Sequence, residues 1–175
     1  QLRGQSYTSY LLGDPADAQT TSNGGFLLAG GGTDNDTAMA WFLTQANGGD
    51  VVVLRTDHSS AYNTYLYSQL GVQVNSVETL IVPSHNAANA PYVKERLLKA
   101  EAIFIAGGDQ TEYYNLWHNT AIDTILSTNS INSPVIGGTS AGMMILGDFD
   151  YYPATYGVIS SEALNNPYHP YLDTI

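Results

Sequence analysis

The sequence contains no cysteine, few basic residues and no long apolar run, and each absence excludes a class of function. Without cysteine there is neither a disulfide framework nor a thiol nucleophile. No apolar stretch approaches the roughly 20 residues that a membrane-spanning helix needs, so no span is expected. Lys and Arg number 5 against 16 Asp and Glu, which gives a net charge of −11. This charge argues against nucleic acid and anionic membranes as partners.

The remaining composition favours an acidic globular protein. At 175 residues the chain is long enough for one domain with a substantial core. The many Tyr, Asn, Thr, Ser and Gly residues and the scarcity of Lys are typical of secreted bacterial proteins, so a secreted or periplasmic location is predicted. The negative charge is compatible with cationic substrates. Homo-oligomer formation stays open.

Short apolar runs alternate with helical patterns along most of the chain. Continuous apolar runs of this kind are typical of parallel strands covered on both faces. They predict a three-layer α/β sandwich with a mostly parallel sheet and helices on each side. Residues 1–24 and 148–175 are expected to form turns and loops, and Asp34 or Asp36 is expected to cap the first helix. The predicted strands are FLLAGGG (26–32), DVVVLRT (50–56), SVETLIVP (76–83), AIFIAGG (102–108) and SPVIGG (133–138).

The segment GTSAG, Gly138 to Gly142, falls between the last predicted strand and a helix that begins near Ala141. This is the G-x-S-x-G pattern in the strand-turn-helix context that a nucleophile elbow requires. The turn is expected to be too tight for side chains at Gly138 and Gly142, and to hold Ser140 in a strained conformation at the carboxyl ends of the strands. The alternative is a glycine-rich turn with an incidental serine.

A second glycine turn, Gly107-Gly108-Asp109-Gln110, also follows a predicted strand and begins a helix. Parallel α/β sheets bind ligands at this edge. The N–H groups of Gly108 and Ala141 could form the two-donor oxyanion hole that acyl transfer needs. The alternative is a plain turn in which Asp109 caps the helix.

Two further polar or glycine-rich stretches are interpreted as structural. The Gly30–Gly32 stretch lacks the G-x-G-x-x-G pattern of a nucleotide site, so a tight turn beside the active site is expected. Asp34-Asn35-Asp36 has no glutamate at the spacing of a calcium loop, and no metal site is predicted.

The motif FIAGGDQ followed by PVIGGTSAGM, together with the opening GGFLLAGGG, resembles the cyanophycinase and aspartyl dipeptidase group of serine peptidases, family S51. The group has a class I glutamine-amidotransferase-like fold, and the resemblance covers roughly residues 24–147. It implies a nucleophile at Ser140, oxyanion donors at Gly108 and Ala141, and a substrate-contacting Gln110, beside which Asp109 is assigned to substrate recognition.

The resemblance also implies a reaction. Members of the group hydrolyse bonds to aspartyl residues, either the β-linked Asp-Arg of cyanophycin or the bond of N-terminal Asp-X dipeptides. We therefore expect hydrolysis of a peptide or isopeptide through an acyl-enzyme on Ser140, without metal or cofactor. The alternatives are another acyl hydrolase or transferase with the same elbow, and a non-catalytic binding module that retains the pocket.

The resemblance does not identify the general base among the residues of this chain. The family's catalytic histidine belongs to a D-x-H-F-like segment whose position here falls beyond Ile175. The histidines of the chain are poor substitutes, and they are His58, His85, His118 and His169. For the catalytic acid, Glu162 is chosen over Asp148 and Asp150, although a surface or capping role fits all three better.

These gaps lead to an expectation about domain organisation. Residues 1–175 are expected to form a single α/β domain, the N-terminal portion of a larger hydrolase. A second chain, produced by cleavage after Ile175, would supply the catalytic histidine. A loop at residues 148–175 would suit such a cleavage, since nicking is tolerated in loops. The alternative is an expression fragment or a chain interrupted at a disordered loop.

Overall fold

A six-stranded sheet forms the centre of the molecule. The structure is a computed structural model that describes residues 6–57, 59–128, 134–147, 150–151 and 157–169. Its strands are β1 Thr8–Gly13, β2 Phe26–Ala29, β3 Asp50–Arg55, β4 Ser76–Ile81, β5 Ala102–Ile105 and β6 Val135–Thr139. They lie in the order β1-β4-β3-β5-β6-β2, with β1 antiparallel to β4 and every other pair parallel. The predicted mostly parallel sheet is confirmed.

Each central strand contributes side chains to two separate cores. Val51 and Val53 of β3 belong to one buried cluster, whereas Val52 and Leu54 belong to the other. Successive side chains of a strand point to opposite faces, so a strand segment packed between two apolar cores, such as Val51 to Leu54, is apolar at consecutive positions. This explains the continuous apolar runs in the sequence.

Helices cover both faces of the sheet. The helices are α1 Asp36–Gln45, α2 Ala61–Thr64, α3 His85–Ala88, α4 Pro91–Lys99, α5 Gln110–Trp117, α6 Ala121–Ser127, α7 Ala141–Met144 and α8 Ser160–Asn165, and α2 continues as a π-helical turn over Tyr65–Gln69. Side chains of α1 and of the π-helical turn fill one core. Side chains of α3 to α7 fill the other. The three-layer α/β sandwich is confirmed. No helix of the described ranges is long and apolar enough to cross a membrane.

Two elements lie where only turns and loops were predicted. Strand β1 lies within residues 1–24, and its Tyr10 and Leu12 are exposed at the sheet edge. Helix α8 lies within residues 148–175 and has no buried residue. Neither element has one continuous buried face, so neither produces the apolar periodicity from which elements are predicted.

Two details of the helices also differ from the predictions. Asn35, rather than Asp34 or Asp36, caps α1, and its side chain accepts a hydrogen bond from the N–H of Ala38 at 3.0 Å. The helix expected after Gly108 is divided into α5 and α6 at Asn119, which has a φ of 57°. Asparagine tolerates this left-handed conformation better than most residues, so it can interrupt a helical pattern.

Candidate active site

Ser140 occupies the turn between β6 and α7 with φ 52° and ψ −124°. A positive φ is uncommon for a residue other than glycine, and in the described residues only Asn47 and Asn119 share it. Backbone strain of this kind is concentrated at functional sites, where the surrounding structure holds it. The strand-turn-helix geometry predicted for the elbow is therefore present in the fold, and the role of Ser140 as nucleophile stays a prediction.

The two glycines of the elbow are required by close backbone contacts. A Cβ atom at Gly138 would lie 2.2 Å from the carbonyl oxygen of Gly142. A Cβ atom at Gly142 would lie 2.2 Å from the carbonyl oxygen of Ile105. Both separations are far shorter than a van der Waals contact, so no side chain fits at either position. The expectation that the turn is too tight for side chains is confirmed.

Two glycine loops flank Ser140. Because β6 lies between β5 and β2, the loops that follow those two strands meet on either side of the elbow. A Cβ atom at Gly107 would lie 3.4 Å from the Cβ of Ser140, and one at Gly31 would lie 3.2 Å from its Oγ. The N–H of Ser140 donates to the carbonyl of Ala29 at 3.1 Å, which fixes the elbow to the end of β2. The glycine turn expected beside the site is present at Gly31.

The two predicted oxyanion donors lie on the loop and the helix that adjoin Ser140. Gly108 is exposed and follows Gly107, whereas Ala141 is buried and begins α7. Among the backbone hydrogen bonds that described residues make outside regular helices and strands, neither N–H is a donor. Their role as oxyanion donors stays a prediction.

Comparison with known protein families classifies the chain. The sequence model of peptidase family S51 matches residues 27–153. The chain belongs to peptidase family S51. No curated protein matches the sequence.

A similar fold is found in a crystal structure of a peptidase from an acI-B1 Actinobacterium. Its TM-score is 0.55 at 16% identity, and the match covers 75% of this S51 chain. This S51 chain spans 59% of the length of that peptidase. At this identity the likeness shows the fold alone.

The predicted substrate residues of the S51 chain begin α5. The carboxylate of Asp109 caps the helix and accepts from the N–H groups of Thr111 at 2.8 Å and Glu112 at 3.4 Å. The side-chain amide of Gln110 donates to the carbonyl of Tyr151 at 3.2 Å. Asp109 thus makes the capping contacts that the alternative interpretation expects, and its substrate role stays a prediction.

Tyr113 is a site residue that the sequence analysis did not identify. Its buried hydroxyl lies 3.0 Å from the carbonyl oxygen of Ala106 and 3.1 Å from that of Gly107. Its ring stacks on Trp117 with the ring centroids 4.5 Å apart. Burial raises the pKa of Tyr113 well above its usual value, so the hydroxyl keeps its proton and donates. The sequence signal was an aromatic residue at the first turn of the helix after the glycine loop.

The side chains of His85 and His118 contact residues other than Ser140. His85 begins α3 and lies 3.3 Å from the amide of Asn89, and His118 ends α5 at 3.5 Å from Asp123. His169 follows α8, where its N–H donates to Asn166. His58, considered above as a poor substitute for the base, lies outside the described residues, as does the position beyond Ile175 predicted for the catalytic histidine.

The candidate acids differ in their surroundings. Glu162 is exposed in α8, where its carboxylate accepts from the N–H of Ile159 at 3.0 Å, a capping contact. Asp150 is buried, its Oδ2 has no hydrogen-bond partner among the residues that the structure describes, and burial raises the pKa of its carboxyl. It adjoins a cavity of about 330 Å³ that is lined also by Leu28 and Met143. Asp148 lies outside the described residues.

An acidic pocket of about 360 Å³ follows the Gly31 loop. Asp34 and Asp36 line it, and each accepts a 2.8 Å hydrogen bond, from the hydroxyls of Tyr62 and Tyr65 respectively. In the described ranges, no group of three or more His, Cys, Asp or Glu side chains is placed to hold a metal ion. The pocket therefore presents two carboxylates on the segment that follows the Gly31 loop.

Proposed function

We propose that this S51 chain carries the nucleophile of a serine peptidase that hydrolyses peptide or isopeptide bonds through an acyl-enzyme on Ser140. The observation that carries the proposal is the strained Ser140, held between Gly31 and Gly107 at the carboxyl edge of the sheet. Family membership supports the same activity.

The reaction follows from the chemistry of an activated serine. A general base removes the hydroxyl proton as Ser140 Oγ attacks the scissile carbonyl, and a tetrahedral oxyanion forms. The N–H groups of Gly108 and Ala141 stabilise this oxyanion. The protonated base then gives its proton to the leaving amine, which leaves an ester on Ser140. Water, activated by the same base, hydrolyses the ester and restores the serine without metal or cofactor.

The base is proposed to be a histidine outside the described residues, either on a further segment or on a second chain. The contacts of His85 and His118 support this, because neither involves the Ser140 side chain. Mass spectrometry of the purified natural protein tests the two-chain form. A second stoichiometric polypeptide that bears a D-x-H-F-like segment would support it, and a fully active single chain of 18.8 kDa would contradict it.

The substrate is proposed to carry a cationic group next to the scissile bond, as an aspartyl-arginine isopeptide does. The acidic pocket at Asp34 and Asp36 supports this choice, as does the net charge of −11. Gln110, at the start of α5, is proposed to contact the substrate backbone or side chain.

Labelling with a fluorophosphonate tests the serine mechanism directly. The wild-type protein should be modified at Ser140, and the Ser140→Ala variant should not be modified. Hydrolysis of a β-aspartyl-arginine dipeptide and of α-aspartyl dipeptides then defines the substrate class. Labelling without dipeptide hydrolysis would favour another acyl hydrolase with the same elbow.

A binding module is the second candidate, and one observation favours it: the contacts of His85 and His118 do not involve Ser140. The absence of labelling in the intact natural protein would establish this alternative and refute the peptidase.

A further inference from the structure

The peptide group between Gly107 and Gly108 lacks side chains that could hold its orientation. Glycine populates both signs of φ readily, so a peptide between two glycines can rotate at little cost. An oxyanion donor, in contrast, must be aimed in advance at the position where charge develops. If the N–H of Gly108 is such a donor, another group has to fix this peptide.

Tyr113 makes the contacts that such a group would need. Its hydroxyl is within 3.1 Å of the carbonyl oxygens of both Ala106 and Gly107, and it carries a single proton that either oxygen can accept. A Cβ atom at Gly108 would lie 2.5 Å from the same hydroxyl, so the hydroxyl also lies against the next residue of the loop.

The Tyr113 ring is itself held on two sides. It is 1% exposed and stacks on Trp117, and the two ring planes are within 8° of parallel. The indole N–H of Trp117 donates to the carbonyl of Val82 at 3.0 Å, which fixes Trp117 to the end of β4. The hydroxyl is therefore presented to the loop from a rigid position in the core.

Because the peptide group is planar, a contact that fixes the Gly107 carbonyl also fixes the direction of the Gly108 N–H. The carbonyl of Gly107 and the N–H of Gly108 belong to one planar group, and in a trans peptide they point in opposite directions. The described residues contain no cis peptide bond. With the carbonyl of Gly107 held towards Tyr113, the N–H of Gly108 must point away from the core.

We propose that Tyr113 is a positioning residue, whose hydroxyl locks the Gly107–Gly108 peptide in the orientation that presents the Gly108 N–H to the substrate oxyanion. We call this contact between the Tyr113 hydroxyl and the Gly107–Gly108 peptide the lock. The effect of the lock on the reaction rests on the proposed function, whereas the existence of the lock does not. The matched variant is Tyr113→Phe, because it keeps the stacked ring and removes only the hydroxyl.

The lock is tested without any activity measurement. Relaxation dispersion of ¹⁵N-labelled backbone amides detects exchange on the microsecond-to-millisecond timescale. We expect exchange at Gly108 in Tyr113→Phe and its absence in the wild type. Tyr92→Phe is the control. It also removes a tyrosine hydroxyl that donates a hydrogen bond, at 2.7 Å to Glu78, but Tyr92 lies on α4 rather than beside the Gly107–Gly108 peptide. Equal behaviour of Gly108 in the wild type and Tyr113→Phe would overturn the proposal.

The effect on the reaction is measured with the fluorophosphonate, whose phosphoryl oxygen occupies the oxyanion site. Loss of one whole oxyanion donor costs about 100-fold to 1,000-fold, so a loosened donor in Tyr113→Phe should slow the limiting labelling rate by at least about tenfold. The concentration for half-maximal rate should change little, and Tyr92→Phe should label like the wild type. An unchanged limiting rate in Tyr113→Phe would show that the peptide is not catalytically positioned. A wild type that is not labelled at all would refute the proposed function, and Gly108 exchange would still decide the lock.

Discussion

A Cβ atom at Gly31 would lie 3.2 Å from the Oγ of Ser140, although the two residues belong to different loops. This separation is tighter than an ordinary contact, so a methyl group at Gly31 would displace the serine hydroxyl by a few tenths of an ångström. The φ of Gly31 is not in the positive range, so alanine is compatible with its backbone. We expect Gly31→Ala to fold normally and to lose at least about tenfold in labelling rate, because small misplacements of reacting groups are costly.

Gly30→Ala is the matched control for this variant. A Cβ atom at Gly30 would meet nothing within 4 Å, and its φ is likewise not positive. Fluorophosphonate labelling of both variants, with thermal unfolding to compare their stability, separates crowding of the nucleophile from a general effect on the loop. If both variants label at the wild-type rate, the loop after β2 does not confine Ser140.

The strain at Ser140 should be measurable as stability. The φ of 52° and ψ of −124° suit glycine, and unusual backbone conformations of this kind cost about 1–3 kcal/mol. Ser140→Gly should relieve that strain, partly offset by about 0.5–1 kcal/mol for the greater freedom of glycine in the unfolded chain. Ser140→Ala retains the strain and is the control.

Urea denaturation compares the two serine variants. We expect the free energy of unfolding of Ser140→Gly to exceed that of Ser140→Ala by about 1 kcal/mol, while neither variant is labelled. A glycine variant less stable than the alanine variant would mean that the elbow is not strained.

The elbow was predictable from sequence because its geometry depends on neighbouring residues. A strand, a serine between two glycines and a helix occupy one short segment, and the contacts that exclude side chains at Gly138 and Gly142 recur wherever that turn is formed. The parallel sheet was predictable for a similar reason, since the four consecutive apolar residues Val51 to Leu54 in the middle of β3 are the pattern of a strand buried on both faces.

Tyr113 was not predictable, because its role depends on how separate elements pack. Its sequence position indicates only an aromatic residue on a helix, the usual pattern of a core residue. Its contact with the Gly107 carbonyl depends on the way α5 packs back against the end of β5. The exposed α8 escaped prediction because no buried face imposes a pattern on it.

Gln110 should contribute to substrate binding more than to the chemical step. Its amide donates to the carbonyl of Tyr151, and this leaves the side-chain oxygen available as an acceptor. Gln110→Ala should raise KM for an aspartyl-arginine isopeptide and change kcat little, since the group does not touch the reacting atoms. Steady-state kinetics check this, with the exposed Gln69→Ala as the control. Unchanged kinetics in Gln110→Ala would remove this residue from the substrate site.

Glu78 and Arg96 form a buried ion pair between β4 and α4. The Glu78 carboxylate also accepts from the hydroxyls of Ser9 and Tyr92. Arg96→Met should lower the free energy of unfolding by about 3–5 kcal/mol, because it leaves a buried carboxylate without its counter-charge. The double variant Glu78→Gln with Arg96→Met should recover much of this loss, as measured by urea denaturation. If the double variant were no more stable than Arg96→Met, the uncompensated charge would not be the cause.

Glu101 should make the free energy of unfolding depend on pH. It directly precedes β5, at the amino-terminal ends of the strands and opposite the candidate active site. It is 1% exposed, its carboxylate accepts from the N–H of Asp50 at 2.7 Å, and burial raises its pKa above 4.5. The folded state therefore binds this proton more tightly than the unfolded state does. The resulting stabilisation is complete below the unfolded pKa and is lost as the pH rises through the folded pKa.

Glu101→Gln keeps an acceptor for Asp50 without a charge, so it should be at least as stable as the wild type at pH 7. Urea denaturation at several pH values measures the free energy of unfolding of both proteins. As the pH falls towards 4.5, that of the wild type should rise relative to that of Glu101→Gln. A difference that stays constant with pH would mean that Glu101 titrates alike in the folded and unfolded states.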